Sequence, residues 1–261
     1  MFLSASVPSH ERAEKYRRIS QAFARIEEAA LRVAASVFNA GGRVVFGGHP
    51  SISPLIGYLC EQYQLPVEAE AQRPVSKKSE YREIGPHVVM YQSELYRESW
   101  AAPSERLSRL PGVEVIWTPA VTGESLNPNL QGEIKSQESL RAMREQMIKD
   151  PQIVGMVVIG GMEGVEQEFR SFRQLRNNLP IYSLPSTGGA AQILTERNPD
   201  LVRSFDDEVR ANVLEFRRRK GREQESRVVN QSDSDKEEIL IPYANVASRI
   251  IQDIIHRLES Q

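Results

Sequence analysis

Cysteine is nearly absent: Cys60 is the single one in 261 residues. One thiol cannot close an intramolecular disulfide or supply a cysteine-clustered metal site. Cys60 lies in an apolar helical stretch, where a cysteine behaves as a small buried hydrophobe. Histidine is also scarce, with four in the chain, and no other His or Cys is placed to share a metal with His49. No metal ligand and no resident cofactor are therefore assigned. Long apolar runs are missing too. None approaches the ~20 residues that cross a bilayer, and Met1-Phe-Leu-Ser-Ala-Ser-Val-Pro8 has no basic leader. The expectation is a cytoplasmic protein without a membrane partner. There is no excess of basic charge. With 33 basic and 35 acidic side chains, the net charge is −2, which argues against a general nucleic-acid-binding surface. A Gly-x-Ser-x-Gly nucleophile elbow and a Gly-x-x-x-x-Gly-Lys-Ser/Thr phosphate loop are both absent. These absences disfavour serine-hydrolase chemistry and P-loop ATP hydrolysis.

What is present is a core-forming composition, 40% hydrophobic with 26% charged, arranged as strands alternating with helices. Phe2–Ala5 reads as a central strand with the polar tip Ser4–Ser6. Residues 9–18 read as a loop. Ile19, Phe23, Ile26, Ala30, Val33 and Val37 recur at helical spacing until Asn39-Ala-Gly-Gly42. Further strands are expected at Arg43–Phe46, His87–Tyr91, Val113–Trp117, Val154–Ile159 and Ile181–Leu184. Helices are expected from about Ser51 or Ser53 to Tyr63, from about Ile134 to Lys149, from about 163 to 176 and over 198–216. Residues 65–85 and 121–133 read as loops. The alternation predicts an α/β, Rossmann-like, doubly wound parallel sheet with helices on both faces.

Three of the strand-to-helix turns are rich in glycine: Gly47-Gly-His49, Gly160-Gly-Met-Glu-Gly164 and Ser186-Thr-Gly-Gly189. Each follows a strand, so in a parallel sheet all three open on the carboxyl edge, where such sheets hold ligands. Backbone N–H groups and a helix dipole aimed at one spot favour an anion. The candidate binding residues are Ser4, Ser6, Gly47, Gly48, His49, Ser51, Gly160, Gly161, Glu163, Gly164, Ser186, Thr187, Gly188 and Gly189. The Ser186 and Thr187 hydroxyls suit a phosphate or ribose, or a helix cap. Glu168 lies one helical turn beyond Gly164 and can face the same cavity. There it could hold a ribose hydroxyl or act as a general acid/base, with Glu163 and Glu166 as neighbouring alternatives. Arg144 suits bidentate pairing with phosphate, or a solvated helix face.

Phe2-Leu-Ser-Ala-Ser6, Val45-Phe-Gly-Gly-His49, Gly160-Gly-Met-Glu-Gly-Val-Glu-Gln-Glu168 and Ser186-Thr-Gly-Gly189 resemble the SLOG superfamily. That Rossmann-like group includes the lonely-guy phosphoribohydrolases and the DprA-type DNA-processing proteins. Against the lonely-guy pattern Pro-Gly-Gly-x-Gly-Thr-x-x-Glu, this chain keeps Gly160, Gly161, Gly164 and Glu168. Ile159 replaces the proline, Val165 the threonine, and Met162-Glu163 fill the place of one residue. Arg144 stands at the spacing of the family's arginine, and Glu145 replaces the following lysine. The layout is most similar to the SLOG domains of bacterial conflict systems. The resemblance implies a sensor that binds a nucleotide or an NAD-, ADP-ribose- or cyclic-nucleotide-like ligand. It also implies a homo-oligomer, and a TIR-type or other effector protein as partner in defence. The alternative it implies is nucleoside-monophosphate phosphoribohydrolysis, an N-glycosidic cleavage using Glu168 and Arg144.

The expected domain plan is a nucleotide-binding domain over 1–216, a flexible charged linker over 217–238, and a strand and helix over 239–261. That last segment carries the stripe Val246, Ile250, Ile251, Ile254, Ile255 and Leu258. The stripe must pack on the same domain or on a second subunit.

Overall fold

The fold, taken from a computed structural model, is described for residues 1–8, 16, 22–71, 87–124, 126, 137–225 and 241–260. The first half comprises β1 (Phe2–Ser6), α1 (Ala22–Asn39), β2 (Val44–Phe46), α2 (Ser53–Ala71), β3 (Val88–Ser93), α3 (Ala102–Ser108) and β4 (Val113–Thr118). The second comprises α4 (Gln137–Ile148), β5 (Met156–Gly160), α5 (Glu163–Leu175), β6 (Ile181–Leu184), α6 (Gly189–Arg197), β7 (Val202–Arg203), α7 (Asp206–Glu225) and α8 (Tyr243–Glu259). Short 3₁₀ turns occupy Glu94–Ser99 and Pro185–Thr187.

Among the described residues, seven strands form one sheet in the order β4-β3-β2-β1-β5-β6-β7. Every neighbouring pair is parallel. Strands β2, β3, β5 and β6 are buried along their whole length, because side chains on both faces meet helices. The two-residue alternation sorts them. Leu3, Val44, Phe46, Met90, Val157 and Ile159 meet a layer built from α1, α2, α3, α7 and α8. Phe2, Val45, Val89, Met156 and Val158 meet α4, α5 and α6. The sheet is thus wound on both faces, as the alternation of elements requires.

Helix α8 lays Val246, Ile250 and Ile254 into the first layer, so its stripe is buried on this chain's own α1 side. Ile255 and Leu258 stay exposed at its far end.

Several local expectations are corrected. Helix α2 continues through Pro66 to Ala71, where a loop was expected from residue 65. The proline removes one backbone donor, but the residues after it include good helix formers. The stretch 198–216 is not one helix: β7 pairs with β6 before α7 starts. Helix α7 then runs on to Glu225, so Arg217–Glu225 is helix rather than linker. Val209 carries its apolar contact with the body, and Phe216 is 60% exposed. Phe23 is 57% exposed, because α1 first reaches the core at Ile26. Leu175, at the end of α5, is also exposed. Residues 226–240, most of 9–21, 72–86 and most of 125–136 lie outside the described residues.

Candidate functional site

The strand order reverses between β1 and β5, which lie side by side with Ser6 opposite Gly160. In an open parallel sheet this reversal forces the two flanking connections apart and leaves a crevice at the carboxyl ends. A cleft of about 410 Å³ opens there. Its walls come from the end of β1, the turn after β2, the segment after β3, and the facing sides of α4 and α5.

The cleft brings together Ser6, Gly47, Gly48, His49, Arg144, Gly164 and Glu168. Glu168 is held between two partners. The Ser4 hydroxyl donates to its Oε2 at 2.5 Å, and Arg144 Nε stands 3.7 Å from its Oε1. Both charged side chains are largely enclosed, 17% exposed for Arg144 and 15% for Glu168. Ser4 is fully buried behind them. Arg144 also donates from Nη1 to Gln167 Oε1 at 2.7 Å, while its Nε is buried without a hydrogen-bond partner. Burial pushes the Glu168 carboxyl above the usual carboxylate range. The nearby Arg144 charge and the Ser4 hydroxyl oppose this without cancelling it.

The other predicted residues fall elsewhere. Ser51 sits beside the cleft, accepting from Val7 N at 3.3 Å and pairing with His49 Nδ1 at 2.8 Å. Gly160 and Gly161 are buried, and their amides are engaged inside the protein. Gly160 N donates to Thr187 Oγ1 at 2.8 Å, and Gly161 N donates to Ser6 O at 2.8 Å. Gly189 packs its backbone directly on Gly161, with Ala190 N donating to Gly161 O at 2.9 Å. Gly188 is the N-cap residue that precedes α6 beside this contact. Ser186 turns away from the cleft, its N–H donating to Asp206 Oδ2 at 2.8 Å and its hydroxyl meeting Tyr243 at 3.2 Å. Burial pushes the Asp206 carboxyl above its usual range, against the opposing pull of Ser186. The Gly160–Gly161 and Ser186–Gly189 turns thus lock together, and the Gly47–His49 turn is the one that faces open space. Glu163 is exposed at the start of α5, and Glu166 accepts from the buried Tyr16 hydroxyl at 2.9 Å.

The structure adds wall residues that the sequence reading did not select: Gln92, Tyr96, Ser99, Trp100, Leu140 and Met143. Gln92 is the penultimate residue of β3, at the ligand-bearing edge, and its amide donates to Gly47 O at 2.7 Å. The rule that ligands gather at carboxyl ends could have found it. Tyr96 and Trp100 belong to a segment without any motif.

Among the described residues no three His, Cys, Asp or Glu side chains gather as a metal cage, and no helix is long and apolar enough to cross a membrane. The wall instead offers an arginine, an enclosed carboxyl, a histidine, neutral hydrogen-bonding groups and aromatic surface. That set can hold a small molecule bearing both polar and flat apolar parts.

No curated protein and no solved structure matches the chain. A family model described as the SLOG cluster3 family matches residues 15–219. The matched span runs from before α1 into α7 and contains every cleft residue outside β1. With most of its length and its site inside that match, the chain belongs to the SLOG cluster3 family.

Proposed function

We propose that the cleft binds a nucleotide or nucleotide-derived small molecule, of the NAD, ADP-ribose or cyclic-nucleotide kind, and that the protein is a ligand sensor in a bacterial conflict system. The observation that carries this reading is the enclosed Ser4–Glu168–Arg144 cluster in a cleft at the strand-order reversal. The cleft volume falls within the range of roughly 300–1,000 Å³ typical of small-molecule sites. Gly164 lies in the wall one residue into α5, where first-turn amides lack helical acceptors and the dipole is positive. A phosphate suits that position, with Arg144 beside it. Glu168 suits a sugar hydroxyl. Ligand binding would then change the assembly of a homo-oligomer and its contact with a TIR-type or other effector.

The test is a thermal-unfolding screen of purified protein with AMP, NAD, ADP-ribose and 3′,5′-cyclic AMP, paired with light scattering. At least one ligand should raise Tm and alter the mass distribution. The rise should be lost in Arg144→Ala. No shift with any of the four would overturn the reading.

A second reading is N-glycosidic hydrolysis of a nucleoside monophosphate. It is favoured by the enclosure of Glu168 beside Arg144 in the cleft, where burial raises its carboxyl, since a positioned carboxyl can protonate a leaving base. Free base released by the native protein and not by Glu168→Gln would establish it. An absence of release from all common nucleoside monophosphates would exclude it.

A further inference from the structure

The segment between β3 and α3 supplies the cleft with aromatic surface that neither the family motifs nor the glycine turns account for. Tyr96 and Trp100 both line the cleft. Trp100 is braced from behind. The Trp117 ring meets it edge-on, with centroids 4.9 Å apart and planes at 71°. The Arg97 guanidinium lies 4.4 Å from the Trp117 centroid. Arg97 is in turn fixed by two hydrogen bonds to Glu94, at 2.6 and 2.7 Å. A chain of three side chains, Trp117, Arg97 and Glu94, therefore braces one indole at the cleft wall. The Trp100 N–H is buried without a hydrogen-bond partner, which native interiors usually avoid for an indole. A tryptophan serving only as core filler needs neither a place in a cleft wall nor this bracing.

We propose that Trp100 is the specificity-determining wall of the cleft: its indole receives the flat heteroaromatic base of the ligand, while Arg144 and Glu168 take the sugar–phosphate part. This rests on the reading of the cleft as a nucleotide site, and it narrows the ligand to one that carries a base. Arg97 and Trp117 are positioning residues. Base-on-aromatic stacking tolerates different bases because each presents a π-face. Trp100 therefore selects for a base over none, and the polar wall residues choose among bases.

The chain has two tryptophans, so Trp117→Phe leaves Trp100 as the sole indole reporter. Binding of AMP, ADP-ribose and the base-free ribose 5-phosphate is measured by calorimetry on the native protein, Trp100→Ala and Trp100→Phe. The adenine ligands should bind the native protein more tightly than ribose 5-phosphate. Trp100→Ala should weaken them by about 10- to 100-fold and leave ribose 5-phosphate unchanged, and Trp100→Phe should restore most of the loss. In Trp117→Phe an adenine ligand should quench the remaining indole, and ribose 5-phosphate should not. Equal binding of adenine ligands and ribose 5-phosphate by the native protein overturns this proposal and leaves the nucleotide site standing. So does an equal loss for all three ligands in Trp100→Ala. If Trp100→Ala does not fold, Trp100→Phe and the quenching decide: no quenching by a bound adenine ligand overturns the proposal. Failure of the native protein to bind any of the three overturns the nucleotide site itself, and this inference with it.

Discussion

A methyl group at Gly189 would lie 2.5 Å from the Gly161 carbonyl oxygen, and the residue sits at φ +59°. Both neighbours are backbone, so nothing can swing aside. Gly41 has a similar φ of +70° but open space around it. Gly41→Ala should cost about 1 kcal/mol, the left-handed penalty alone. Gly189→Ala should cost about 3 kcal/mol or more, because a steric clash is added. Urea unfolding of the two variants measures the contrast, and equal losses would refute the interlocked turns. Cys60 makes a second residue-scale prediction. It is 1% exposed, and burial, with a smaller push from Glu61, raises its thiol to about 11. Iodoacetamide should leave the folded protein unlabelled and modify it fully in denaturant. Fast labelling of the native state would show that the α2 face is open. The same scale explains why the site was only half legible in the sequence. Glycine-rich turns after strands could be placed on the right edge. Whether their amides are free depends on Thr187 and Ser6 reaching Gly160 and Gly161, and those partners are distant in sequence.

At the scale of elements, α8 is fastened to the sheet by one carboxylate. Asp253 accepts from the Tyr182 hydroxyl at 2.6 Å, from Arg203 at 2.8 Å and from Arg257 at 2.9 Å. Burial alone would raise this carboxyl, but the Tyr182 and Arg257 hydrogen bonds and the Arg203 charge hold it below its usual range. Asp253→Ala leaves a partly buried tyrosine hydroxyl without its acceptor, so stability should fall by about 1–3 kcal/mol. Tyr182→Phe removes donor and bond together and should cost less. A denaturation series on both variants checks the order. Elements with continuous apolar runs, β2, β3, β5 and β6, were readable because a doubly covered parallel strand buries every side chain. Helix α7 was not readable past residue 216, because a helical sequence made almost wholly of polar residues carries no apolar period. Strand β7 has two residues, too few to register as a pattern. The aromatic wall at Tyr96 and Trp100 was missed because it lies on a short 3₁₀ segment and the extended residue that ends it, which carry no repeating apolar pattern.

For the whole molecule, pH acts through groups of opposite sign. Asp253, with its folded pKa lowered, adds stability that is present above its unfolded pKa and lost as pH falls through the folded value. Glu168 and Asp206 have raised folded values. Their contribution is complete below the unfolded pKa and lost as pH rises through the folded one. Replacing Glu168 with Gln removes one term of the second kind. The stability of Glu168→Gln relative to the native protein should therefore climb as pH rises from the unfolded glutamate pKa, about 4.3, through the raised folded value. A difference that stays flat across urea midpoints would mean that Glu168 titrates as it does in the unfolded chain. The fold class was legible at this scale because connectivity alone dictates a parallel sheet. The location of the cleft followed only once the strand order was known.

The central place of β1 has a consequence for how the protein is made. Its five residues emerge first among the strands, yet one of their two edges pairs with Met156–Gly160. A nascent chain can lay β2, β3 and β4 beside β1 early on. Until β5 leaves the ribosome, the other edge of β1 offers unpaired amides and carbonyls to any passing strand, which is a route to aggregation. Translation stalled anywhere before residue 156 should thus yield product that depends on a chaperone for solubility.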